Sequence, residues 1–99
     1  MEHRFERLVE DLTKLSLSSD DKQVTVLSNE LLCVLFNKYA DSKPKSGVLK
    51  RIISFIGDEV KKRNGKAVEA LSYVSKGLMA SGHNDGTELI GTVRLMVVT

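Results

Sequence analysis

The sequence predicts an all-α fold of about five antiparallel helices, packed as one domain over residues 1–99. Three observations predict it. Apolar residues recur at steps of three and four along most of the chain, the spacing that gathers side chains on one helical face. Trp is absent and aromatics make up only 5% of residues, while Leu, Val, Ser and Lys are abundant, a mix that favours helix over an aromatic-rich β-sandwich. Loop and cap signals punctuate the apolar stripes at helix-length intervals. At 99 residues the chain has the size of one domain and can build a core without disulfides or metal.

The first helix is marked by Phe5, Leu8, Val9, Leu12 and Leu15, with Glu2, Glu6 and Glu10 near the positive end of its dipole. "SLSSDDKQ" breaks the stripe, and Ser18 or Ser19 can cap a second helix with Asp20 and Asp21 in its first turn. That helix carries Val24, Leu27, Leu31, Val34, Leu35 and Phe36, an apolar arc wide enough to make it the most buried element. Cys33 lies inside this arc and reads as a small core hydrophobe. "ADSKPKSG", Ala40 to Gly47, is a loop around the single proline, Pro44. Ser46 can cap a third helix bearing Leu49, Ile52, Ile53, Ile56 and Val60, which "KKRNG" ends with Gly65 in the left-handed position after the helix. The fourth helix uses Val68, Leu71, Val74, Leu78 and Met79 and stops at Gly82. "HNDG" is a turn, and a fifth helix follows with Leu89, Ile90, Val93, Met96 and Val97. The sequence ends while still apolar, which suggests a truncated end or a surface covered by something else.

Helices one and three start about 45 residues apart, as do two and four, close to the roughly 40–47-residue period of HEAT-type repeats. The expected architecture is therefore a HEAT-like α-solenoid fragment of about two repeats, burying Leu31, Leu35, Ile52, Ile56, Leu71, Val74 and Leu78. Gly57, Gly77 and Gly91 fall inside predicted helices, where close helix approach is a sufficient reason for a residue that weakens them.

Catalytic constellations fail one by one. "NGKA" at Asn64–Ala67 has Ala where a phosphate loop places Ser or Thr. His3 and His83 are far apart and lack partners at metal-ligand spacing, and "DGTE" lacks the acidic repeat of a calcium loop. Ser72 and Ser75 share no helical face with a histidine. The chain reads as a non-enzyme with no cofactor or metal, and His83 reads as a residue just past a helix stop. The lone Cys33 cannot form an intramolecular disulfide and fits a reducing compartment, cytosol or nucleus. The charged N-terminus is not a secretory signal, and no apolar run approaches the roughly 18 residues that span a membrane.

Charge is uneven. Residues 38–66 hold nine Lys/Arg against three Asp/Glu, whereas residues 1–37 hold four against seven. The basic middle third is either a solvated face or a surface for an acidic partner or a phosphate backbone, with Lys50, Arg51, Lys61, Lys62, Arg63 and Lys66 as its candidates, alongside Lys43 and Lys45. No base-stacking aromatic lies among these residues, and no helix-turn-helix signature is evident.

"EALSYVSKGLMASGH" resembles a HEAT-repeat helix of the MMS-nineteen family, a nucleotide-excision-repair and iron–sulfur-targeting scaffold. The motif positions are Tyr73, Lys76, Gly77, Gly82 and His83, with Val74, Ser75, Leu78 and Met79 between them. "LLCVLFNKYAD" is similar to the family's apolar helix ending in Asn-Lys, here Asn37 and Lys38. Tyr73 replaces the family's usual Trp, and Ser81 stands where Arg is common. The resemblance runs over roughly Val24 to Leu89 and implies a fragment of a much longer scaffold. It implies delivery of iron–sulfur clusters to cytosolic and nuclear apoproteins, including DNA-repair helicases and polymerases, together with a β-propeller protein and a small partner protein. Two functional expectations result: a protein-interaction scaffold of cytoplasm and nucleus, and, as the alternative, a small helical nucleic-acid-binding domain. Exposed apolar helix faces add an expectation of self-association.

Overall fold

The computed structural model describes residues 2–39 and 45–81. They form four helices: α1 (Glu2–Ser18), α2 (Lys22–Tyr39), α3 (Lys45–Lys61) and α4 (Gly65–Ser81). Short connections at 19–21 and 62–64 fold each second helix back on the first, making two hairpins. Within the stack, α2 packs most extensively on α4 and on α1; α1 also meets α3 and α4, while α2 and α3 barely touch. One layer therefore holds α1 and α3, the other α2 and α4. This is the all-α, HEAT-like helical repeat that the spacing predicts. The described residues contain four helices, not five; the expected fifth helix and Gly91 lie outside them, as does most of the Ala40–Gly47 loop.

The core runs between the layers. It takes Val9, Leu12 and Leu17 from α1, Leu32 and Phe36 from α2, Leu49, Ile52, Ile53 and Ile56 from α3, and Ala67, Ala70, Leu71, Val74 and Leu78 from α4. The expected stripe of α3 is buried as read, with Val60 partly so. The other helices are rotated from their expected faces. Leu8 and Leu15 of α1 are exposed, and the buried face of that helix includes Thr13 and Ser16 instead. In α2, Leu31, Leu27 and Val34 are exposed, Leu35 and Cys33 are half-buried, and Thr25, Ser28 and Asn29 are buried. Val68 and Met79 of α4 are also exposed.

The rotation is possible because the buried polar groups find partners in side chains and backbone carbonyls. Ser16 Oγ donates to Asn29 Oδ1 across the α1–α2 interface. The Thr13 hydroxyl donates to the Val9 carbonyl at 2.7 Å, and that of Thr25 to the Lys22 carbonyl at 2.9 Å. Among the described residues no buried side-chain nitrogen or oxygen lacks a partner. Burying a polar group is costly only when it goes unpaired.

The caps also differ from expectation. α1 continues through Ser18, and Asp21 rather than a serine caps α2, its Oδ1 accepting from the Gln23 N–H at 2.9 Å. α3 already includes Ser46. At its far end the left-handed residue is Arg63, with φ of 65°, not Gly65. The Arg63 N–H bonds the Val60 carbonyl at 2.9 Å and the Asn64 N–H bonds the Glu59 carbonyl at 3.1 Å, the paired bonds of a Schellman ending. Asn64 then caps α4 by accepting from the Lys66 N–H at 3.0 Å, so Gly65 is the first helical residue.

The closest approach in the fold lies between α2 and α4. A Cβ at Gly77 would overlap the Cys33 carbonyl oxygen and lie 3.1 Å from its carbon. Gly77→Ala should therefore lower stability by about 1–3 kcal/mol, because the fixed backbone of α2 must yield, and that overpacking outweighs the roughly 1 kcal/mol of helix propensity gained. Urea denaturation checks it; a rise in midpoint would mean that the helices do not meet there. Arg63→Gly should act oppositely, adding about 0.5–1 kcal/mol by removing the left-handed penalty of a side chain at that position. An unchanged midpoint in the same assay would argue against the Schellman ending.

Candidate interaction surface

Three groups of side chains bear on function. The first is the α2–α4 crossing. Asn37 Nδ2 donates to the Gly77 carbonyl at 3.2 Å, one turn beyond the place where the Gly77 backbone meets Cys33. The two motif segments, 40 positions apart in sequence, thus close on each other. Asn37 and Gly77 are structural partners that fix the helix spacing. Tyr73 is half-buried on α4, while Lys76 and Lys38 are exposed. Gly82 and His83 lie outside the described residues, as does the expected helix stop there.

The second is an aromatic corner joining the start of α1, the end of α2 and the start of α3. Phe5 and Tyr39 meet edge to face, 5.1 Å between centroids at 75°. Lys45 Nζ lies 4.4 Å from the Tyr39 centroid and 5.6 Å from that of Phe5, and Lys38 Nζ lies 5.5 Å from Tyr39. An ammonium held against ring faces gains about 0.5–1 kcal/mol at a partly exposed site. This corner brings both hairpins together at one edge. The sequence places Tyr39 at a helix end and Lys45 in the loop among the basic candidates, and no local spacing signals that either meets Phe5.

The third is the basic middle third. Lys50, Lys61, Lys62 and Arg63 are exposed, but they do not form a single unopposed patch. Arg51 pairs with Glu6 of α1 at 2.8 Å, and Lys62 with Glu59 at 3.2 Å. Lys66 is drawn inward: its Nζ donates to the Ser19 carbonyl at 2.6 Å and lies 3.6 Å from Asp20. Asn64 adds a longer bond of 3.5 Å to the Leu17 carbonyl. The α3–α4 turn thus caps the carbonyl end of α1, a cation placed where the helix dipole favours one. Lys43 lies outside the described residues. Arg51 also helps line a shallow, largely apolar cleft between α1 and α3, with Glu10, Lys14, Val48, Ile52 and Phe55.

Among the described residues, no three His, Cys, Asp or Glu side chains gather as a metal set, and no helix is long and apolar enough to cross a membrane. The surface these groups offer is one of helix faces and mixed charge.

The chain is 36% identical over 91 residues, 92% of its length, to the MMS19 nucleotide excision repair protein of Drosophila melanogaster. It spans about 10% of that relative's length. No family model and no solved structure matches. Along nearly its whole length, then, the chain resembles one short stretch of the MMS19 family.

Proposed function

We propose that this chain is a non-catalytic protein-interaction scaffold. By its resemblance it serves the delivery of iron–sulfur clusters to cytosolic and nuclear apoproteins, DNA-repair and replication enzymes among them. The observation that carries this reading is the 36% identity sustained over 92% of the chain to a nucleotide excision repair protein. The proposed partners are the β-propeller protein and the small partner protein of the targeting complex, met in cytoplasm and nucleus. The clusters are cargo of the assembly, handed on through protein contacts.

The geometry supports protein contact over nucleic-acid binding. A phosphate-binding face needs free cations in one field. Here Lys66 is committed to the Ser19 carbonyl, Arg51 to Glu6 and Lys62 to Glu59. Exposed Asp58 lies one helical turn from Lys61 and Lys62, within the same stretch.

The test is capture of the purified β-propeller and small partner by the tagged chain, with nuclease present, beside a measurement of nucleic-acid affinity against salt. The expected result is capture that survives nuclease and is unchanged by the triple variant Lys61→Ala, Lys62→Ala, Arg63→Ala. Loss of capture on nuclease treatment, with affinity falling steeply in salt and abolished by the triple variant, would replace the scaffold reading with the nucleic-acid one.

A further inference from the structure

The two hairpins share one register. The ends of α1 and α3, Ser18 and Lys61, are 43 residues apart, and so are the starts of α2 and α4, Lys22 and Gly65. This offset carries the buried positions Ala67, Ala70, Val74 and Gly77 of α4 onto Val24, Leu27, Leu31 and Val34 of α2. Those residues are apolar too, yet Leu27, Leu31 and Val34 are 59%, 51% and 58% exposed, and Val24 is half-buried. The reverse holds for the other face. Thr25, Asn29, Leu32 and Phe36, which α2 buries, correspond to Val68, Ser72, Ser75 and Met79 of α4, where Val68 and Met79 are 51% and 61% exposed.

Among the described residues, the outer face of α2 is therefore an uncovered counterpart of the inner face of α4, and the outer face of α4 an uncovered counterpart of the inner face of α2. The contact between α2 and α4 already shows how such faces fit. We propose that the two outer faces bind each other between copies of this chain, α2 of one copy seated on α4 of the next. Leu27, Leu31 and Val34 stand at i, i+4 and i+7, one continuous stripe along the helix. Leaving such a stripe in water is unfavourable, and a partner helix face removes it. The two faces differ, so the contact is head-to-tail and leaves a free face at each end. Val34 stands at the position equivalent to Gly77, so the helices cannot approach as closely as α2 and α4 do, and the association is weaker and reversible. It concerns copies of this chain and does not rest on the resemblance to MMS19.

Sedimentation of the full chain over rising concentration tests it, together with Leu31→Glu and Met79→Glu. Both positions are exposed, and unchanged helical circular dichroism would establish that each variant folds. The expected result is a mass that climbs beyond two chains for the unaltered protein and one-chain species for either variant alone. An equimolar mixture of the two variants should return a dimer that grows no further, since Leu31→Glu retains the α4 face and Met79→Glu retains the α2 face. An unaltered chain that stays single at every concentration overturns the proposal. So does assembly that Leu31→Glu abolishes and Met79→Glu leaves intact, which would mean that two α2 faces pair with each other, and so does a mixture that fails to dimerise.

Discussion

The rest of the structure depends on the contact between the backbones of α2 and α4. With no side chain at Gly77, the α4 backbone meets the Cys33 carbonyl, and Asn37 secures the approach by donating to the Gly77 carbonyl. Beside this approach Ala67, Ala70, Leu71, Val74 and Leu78 of α4 and Leu32 and Phe36 of α2 fill the core. The layer of α1 and α3 then closes over the same core with Val9, Leu49, Ile52 and Ile56.

Polar chemistry holds the hairpins at their ends. The α3–α4 turn reaches across to the end of α1 through Asn64 and Lys66, and the Phe5–Tyr39–Lys45 corner ties α1, α2 and α3 at another edge. Charges that look in sequence like a binding surface are in part spent on these joints. A cation that satisfies a helix end contributes little to an external field, because its neighbourhood is already neutralised.

The helices were legible in the sequence because their periods are strong, and α3 was legible down to its buried residues because Leu49, Ile52, Ile53 and Ile56 fall on one helical face, with Phe55 exposed outside it. α2 was not. Its apolar residues run around most of the helix, so periodicity identifies a helix without saying which side is inside. Leu31 was expected in the core and is exposed, whereas Asn29 is buried because Ser16, thirteen positions away, supplies its partner. The site was half legible. Asn37 and Gly77 stood out as motif positions, but their hydrogen bond and the α2–α4 contact could be read only from the fold. Lys66 was placed on the surface from charge alone, and its commitment to Ser19 needed the turn's position in space.

By itself the sequence determined local matters: helical period, the number of hairpins among the described residues, the need for a small residue at Gly77 and the resemblance to the MMS19 family. These depend on neighbours within a few positions or on the order of residues. Tertiary structure alone decided which faces of α1, α2 and α4 are buried, which cations are free, and that Arg63 rather than Gly65 takes the left-handed conformation. Each of those depends on what a distant segment places nearby. Arg63 can bear its conformation because Asn64, one residue on, is held both by the end of α3 and by the start of α4, and Gly65 is then drawn into the helix.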